Sequence, residues 1–500
     1  MADPSAIEPE RVMALSCELR AGEFRSRNLA GCIAALLLVA GVGEAFGRTA
    51  ARSPAAALPS QVVELQRAAL AATTAADLAR SLATEAGPRP SGSVGLARGV
   101  EWGLRTMKDL GFENVHPEPV TVPHWERGIA DGTILSPYPQ TLALVALGGS
   151  IGTPESGIDG DVVATENLES LAKLPPDAVK GHIVYFGERM LRTRDGAGYG
   201  KTVAIRGKGA SAAADLGAIA VVIRSVGTDS TRLPHTGGMS YKEGGAKIPA
   251  AALSNPDADL LERELASGKP VRLHLHLTAR MLPDVESANV VGEVRGRELP
   301  QEIVLLCGHL DSWDLGTGAI DDAAGVGNAM AAGAAIAKLA ERPRRTIRIV
   351  LYTNEEFGLS GGKAYAVTHA DEAAQHQAAL ESDLGSGKVY ALLTALAPDD
   401  GALAAEIARG LAPLGITLDA SKPAAGGADI SPLKALGVPI LDLAHDATSY
   451  FDFHHTANDT ADKLVPGDMA QATAAYATAA WILADRPARL ARVPVVAEKP

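Results

Sequence analysis

The sequence predicts an α/β protein with a largely parallel mixed sheet and a second folded block inserted ahead of its main strand–helix series. Three observations lead there. Between residues 301 and 486, β-rich runs alternate with helical ones. Residues 137–280 hold their own supply of short strands and helices. The polar residues of the 301–486 series fall at the ends of its strands, most densely in "GHLDSWDLGTGAIDDAAG" (Gly308–Gly325).

In chain order, Arg20, Arg25 and Arg27 precede the apolar run Ala30–Gly47, "AGCIAALLLVAGVGEAFG". Positive charge, apolar core and small residues in that order mark residues 1–47 as a signal peptide or N-terminal anchor, and the chain as exported, periplasmic or secreted. The run is short and rich in Gly and Ala for a membrane span, which favours cleavage near Gly47 over a retained anchor. Residues 57–136 open the main domain. "AADLARSLATEAG" (75–87) and "GLARGVEWGLRTMKDLG" (95–111) have helical apolar spacing and end at glycine. "ENVHPEPVTVPHW" (113–125) reads as extended.

Within 137–280, strands are expected at Gly181–Phe186, Ala218–Ser225, Ile248–Ser254 and Val271–Leu277. They flank helical "GKGASAAADLG" (207–217) and "DADLLERELASG" (257–268). The catalytic portion, 281–486, has strands at Glu302–Cys307, Thr346–Tyr352, Ala378–Asp383 and Val438–Ala444, with an Ala-rich helix over Val326–Arg342. Residues 487–500 read as a loose tail.

A formal charge of −13 without a basic tract argues against a nucleic-acid partner. Three cysteines without a CxxC pair exclude a disulfide framework and a thiolate zinc site.

Ligands of open α/β sheets bind beyond the carboxyl ends of the strands. There the sequence sets His309 after the first strand, Asp321 before the following helix, Glu355 and Glu356 after the second strand, and Asp383 after the third. A fourth connection, "SYFDFHHTANDT" (Ser449–Thr460), brings His454 and His455. Imidazole and carboxylate are the ligands of hydrolytic zinc, and one carboxylate can bridge two ions ~3.5–4 Å apart. A carboxylate that binds no metal can then accept a proton from water. Each residue alone reads as a helix cap or a solvated acidic turn. Their convergence on one rim points to a metal.

Other motifs are set aside. "GLSGG" (Gly358–Gly362) matches a nucleophile elbow, but "TNEEF" separates it from the strand, so Ser360 belongs to the first turn of a helix. "DGAGYGKT" (Asp195–Thr202) nearly matches a phosphate loop but has Asp195 at its first glycine position, and reads as a flexible loop of the insertion. His274 and His276 alternate with leucines, as on a solvated strand face.

The motifs "GHLDSWD", "GAIDDAAG", "NEEFGLSGG", "ESDLG" and "YFDFHHTANDT" together resemble the M28 zinc exopeptidases, in their carboxypeptidase Q branch. "AGPRPSGS" (Ala86–Ser93), "DLGFENV" (Asp109–Val115) and "VPHWERG" (Val122–Gly128) resemble the N-terminal part of that branch, so the likeness runs from about residue 60 to 486. It implies a three-layer zinc-exopeptidase sandwich, with 137–280 as a protease-associated insertion that covers the cleft and gives no metal ligand. It also implies a homodimer, two Zn2+ ions and a dipeptide or short-peptide substrate. By motif, His309 and Asp383 hold one zinc, Glu356 and His455 the other, and Asp321 bridges them. Glu355 is the general base, Asp311 orients His309, His455 is preferred to His454, and the Asp321–Asp322 peptide is cis. The alternatives are an aminopeptidase of the same fold, and a receptor-like relative without chemistry. The latter should lack ligands, and none of the five is missing.

Overall fold

A computed structural model describes residues 57–494; the signal or anchor expected over 1–47 lies outside them. Among the described residues the strands form two eight-stranded sheets. Strand β1 (Glu113–Glu126) belongs to the first. The second comprises β2 (Ala130–Ser136), β3 (Gln140–Leu142), β4 (Leu144–Ala146), β5 (Ile158–Thr165), β6 (Ile183–Phe186), β7 (Ala220–Arg224), β8 (Ala250–Leu253) and β9 (Arg272–Leu277). The first sheet then resumes with β10 (Arg280–Val294), β11 (Leu299–His309), β12 (Arg345–Tyr352), β13 (His376–Glu381), β14 (Val389–Ala395), β15 (Thr417–Leu418) and β16 (Ile440–His445).

The first sheet runs β1-β10-β12-β11-β13-β16-β14-β15. Its centre, β12-β11-β13-β16, is parallel; β10 and β14 pair antiparallel with it, and β1 pairs antiparallel with β10. A parallel centre must be covered on both faces, which is why "EIVLLC" and "TIRIVLY" are almost continuously apolar. Alternate residues serve opposite cores. Val304, Leu306, Ile347, Ile349 and Leu380 pack with one helical layer, and Ile303, Leu305, Val350, Tyr352 and Ala379 with the other.

The first layer includes helices Thr74–Glu85, Ala324–Ala337 and Pro466–Asp485; the second includes Ser360–Thr368 and Ser431–Ala435. Helix Ala324–Ala337 is almost wholly buried, so alanine and glycine let its neighbours approach closely. A Cβ at Gly327 would lie 2.4 Å from the Ala75 carbonyl.

The second sheet runs β3-β2-β9-β5-β6-β7-β8-β4. Its strands alternate too: Val184, Phe186, Val221 and Ile223 join the core shared with the first sheet. Ile183, Tyr185, Val222 and the β9 leucines pack with Trp125 and Trp313. The second sheet begins at Ala130, a few residues before the 137 boundary read from composition.

His274 and His276 sit on the partly solvated side of β9, facing Asp159 and Asp131. Ser360 opens the helix Ser360–Thr368, as its distance from the strand predicts. Two readings need correction. Asp195–Thr202 is not simply a loop: Ala197–Thr202 is helical, and Tyr199 stacks on Phe451 with ring centroids 4.9 Å apart. That packing comes from a distant segment, so the Gly-rich run gives no local sign of it. Over residues 486–494 the chain has no regular structure yet is anchored, with Leu490 buried and the Arg345 guanidinium donating to the Arg486 and Ala488 carbonyls. No helix among the described residues is long and apolar enough to cross a membrane.

Candidate metal centre

The parallel register of β11 and β12 pairs His309 with Tyr352, so the next residues of both strands emerge at one rim. Cys307 pairs with Glu381 of β13, which sends Asp383 to the same rim. Asp321 arrives from the connection ahead of helix Ala324–Ala337, with the Asp321–Asp322 peptide cis, as the resemblance implies. His455, at φ 63°, arrives from the connection after β16.

Asp321 stands between two groups. On one side its Oδ1 is 3.2 Å from His309 Nε2, which is 3.6 Å from Asp383 Oδ1. On the other its Oδ2 is 3.2 Å from His455 Nε2, which is 2.9 Å from Glu356 Oε2. His309 Nε2 and Glu356 Oε1 are buried with no hydrogen-bond partner. Unpartnered buried acceptors beside a histidine–carboxylate set are what a divalent cation satisfies.

His454 also approaches Asp321, with Nε2 3.6 Å from Oδ2. Its ring stacks on His455 at 3.5 Å and lies among Tyr199, Tyr450 and Phe451, and its Nδ1 has no partner. His455 Nδ1, in contrast, donates to the Thr236 carbonyl at 3.2 Å. That bond leaves the Nε2 lone pair for a ligand, the usual arrangement of a metal-binding histidine. His455 fits the role better.

Asp311 does more than face His309, whose Nδ1 is 3.1 Å from the Asp311 carbonyl and 3.6 Å from its Oδ1. Its carboxylate also accepts the main-chain N–H groups of Glu355 (2.9 Å) and Glu356 (3.1 Å). One buried aspartate therefore sets both the first histidine and the glutamate pair. Glu355 lines a cavity of about 350 Å³ together with Asp321, Glu356, Asp383 and His455. Tyr199 and Arg206 of the second-sheet block line the same cavity.

Burial, followed by repulsion from neighbouring carboxylates, pushes Glu355 and Glu356 well above the ordinary carboxylate range. Burial acts on Asp321 in the same direction but is outweighed by His309 and His455, which hold it well below that range. On His309 burial opposes the charge, and Asp311, Asp321 and Asp383 overcome it, raising the imidazole well above its usual value. The central carboxylate is thus the one held ionised, and a bound cation would ionise the rest by the same electrostatics.

Sequence reasoning missed three supports. Asp322 accepts the N–H groups of His309 (3.1 Å) and Gly325 (2.9 Å), tying strand end to helix start. Asp459 accepts those of Ile320 (2.6 Å) and Asp321 (3.2 Å); burial pushes its carboxyl up to about 7. Arg89, fully buried, donates to the carbonyls of Gly87, Leu310, Thr317 and Gly318. Only the motifs around them hinted at these roles.

A histidine–carboxylate set at the carboxyl rim of a mixed α/β sheet, open to a cavity of about 350 Å³, is the arrangement a metal-dependent hydrolase requires. Residues 289–480 match the profile of Peptidase family M28. The chain is 37% identical over 399 residues to carboxypeptidase Q of Bos taurus, covering 80% of this chain and 83% of that protein. It is 36% identical over 406 residues to carboxypeptidase Q of Homo sapiens, covering 81% and 84%. The crystal structure of a peptidase M28 precursor from Shewanella amazonensis superposes with a TM-score of 0.85 at 44% identity, covering 87% of this chain and 98% of that one. A zinc aminopeptidase from Bacillus subtilis shares the fold, with a TM-score of 0.60 at 19% identity over 83% and 96% of the two chains. The chain belongs to peptidase family M28.

Proposed function

We propose that this chain is a two-zinc exopeptidase that cleaves dipeptides and short peptides bearing a free carboxyl terminus. The carrying observation is Asp321, whose two oxygens each face a different imidazole 3.2 Å away. His309 and Asp383 would hold one zinc and Glu356 and His455 the other, with Asp321 shared. When bound, zinc supplies Lewis-acid polarisation of the scissile carbonyl and a lowered pKa for water. Glu355 accepts the proton of the attacking water and returns it to the leaving amine. Asp311 holds Glu355 and Glu356 at their main-chain N–H groups, so the two neighbouring carboxylates keep separate tasks.

The preference for a free carboxylate rests on Arg206. It is 7% exposed, no carboxylate lies within ion-pair distance of it among the described residues, and its Nε has no partner. One terminal nitrogen donates to the Tyr199 hydroxyl and another lies 3.4 Å from the Thr236 carbonyl. A buried guanidinium without an acid, facing the cavity, suits a substrate carboxylate.

The second-sheet block is read as a protease-associated insertion that limits substrate size, since it lines the cavity while the proposed ligands all come from the first-sheet domain. Export rests on residues 1–47, and a homodimer on the family resemblance. Assay of the purified protein on free, N-acylated and C-amidated dipeptides, with zinc content measured, tests the reading. Free and N-acylated substrates should be cleaved and C-amidated ones cleaved poorly; the reverse preference makes the enzyme an aminopeptidase.

A further inference from the structure

Residues 225–239 of the second-sheet block lie along the segment that carries His455, and a buried histidine–aspartate pair there takes no part in the chemistry above. Thr228 N–H donates to the Phe451 carbonyl (3.0 Å), Thr236 N–H donates to the His455 carbonyl (3.0 Å), and His455 Nδ1 answers to the Thr236 carbonyl (3.2 Å). Between these contacts sits His235, 1% exposed, its N–H donated to Ser225 Oγ (2.7 Å). Its Nδ1 is 2.7 Å from the His454 carbonyl and its Nε2 is 2.8 Å from Asp229 Oδ1.

A backbone carbonyl can only accept. The Asp229 carboxylate also accepts from Thr231 N–H (2.9 Å) and the Thr231 hydroxyl and lies 3.3 Å from Asn255 Nδ2, so it is itself held in place. Both ring nitrogens of His235 are thus held by fixed partners on opposite sides of the ring.

The pair bears on the metal centre through His455. That residue has φ 63°, a left-handed conformation that a non-glycine residue keeps only where its surroundings enforce it. The enforcing bonds come from the second-sheet block: His235 on the carbonyl before His455, and Thr236 on its own carbonyl and imidazole. We propose that His235, clamped between Asp229 and the His454 carbonyl, is a positioning residue for the metal ligand His455, so that the inserted block completes one of two metal sites. The inference rests on the two-zinc reading of that centre.

The test is stepwise Zn2+ titration of the metal-stripped full-length protein by calorimetry, for wild type, His235→Asn and Asp229→Asn. Wild type should bind two equivalents. Each variant should keep one at wild-type affinity and bind the other about 10–100-fold more weakly, the usual cost of losing a ligand's outer support. Turnover should return at raised free zinc with KM unchanged. Should His235→Asn be recovered unfolded, Asp229→Asn, which keeps the side-chain shape and replaces the carboxylate that clamps the ring, decides the matter. Variants that bind both equivalents as wild type does, or lose both in parallel, overturn the inference while leaving the two-zinc reading intact. A wild-type protein that takes up fewer than two equivalents overturns both.

Discussion

Glu355→Gln removes the proposed base and almost nothing else. Glu355 is tied to the structure through its main-chain N–H, which donates to Asp311 Oδ1 at 2.9 Å; among the described residues its carboxylate makes no hydrogen bond. Burial and the neighbouring Asp383 and Glu356 carboxylates already oppose its charge, so a neutral amide of the same shape should leave folding stability unchanged or slightly raised. The loss should appear in the chemical step. General acid–base catalysis typically contributes 10²–10⁴ in rate, which corresponds to roughly 3–5 kcal/mol of barrier. The expected variant has two zinc ions, a wild-type melting temperature, a similar KM and kcat reduced by about that factor. Glu356→Gln is the control, because Glu356 Oε2 lies 2.9 Å from His455 Nε2 where a ligand belongs. It should lose zinc from one site and regain part of its activity in excess metal. Steady-state kinetics on a free dipeptide and metal analysis on the same samples decide the assignment. A Glu355→Gln enzyme with near-normal kcat, or one that has simply lost zinc, would refute it.

Arg206→Met should raise KM for peptides with a free carboxylate by about tenfold to a hundredfold, from a charge-assisted hydrogen bond worth roughly 1.5–3 kcal/mol. C-amidated substrates should be little changed; equal loss on both would remove the carboxylate role. Arg89→Met leaves the carbonyls of Gly87, Leu310, Thr317 and Gly318 without their donor. Leaving buried acceptors unsatisfied costs about 1–3 kcal/mol each, so denaturant titration should register a loss above ~3 kcal/mol. His376 and His445 are buried, and desolvation lowers both imidazoles to about 4. Their folded pKa values lie below the unfolded value of ~6.5, so their contribution is complete above that pH and is lost as pH falls towards 4. Each accounts for up to about 3 kcal/mol, so stability measured from pH 7 to 4 should fall, and His445→Gln should flatten the fall.

The sequence by itself determined the four parallel central strands of the main sheet, though not β10, β14 or β15 at its flanks, because a strand covered on both faces must be apolar along its length, as "EIVLLC" and "TIRIVLY" are. It also named the residues that gather at the rim. His309, Glu355, Glu356 and Asp383 lie at or just beyond strand ends, with Asp321 and His455 in the connections that follow, and parallel strands deliver such residues to one edge. What it left open was the support. Arg206 and Tyr199 lie in a Gly-rich run with no local mark of function, and reach the cavity only because the second sheet packs over the first. His235 and Asp229 look like ordinary loop residues until the fold sets the His454 carbonyl 2.7 Å from the ring. Local periodicity records which face of a strand is buried. Which distant carbonyl or carboxylate a buried side chain meets depends on how two sheets far apart in the chain come to rest against each other, and that only the tertiary structure decided.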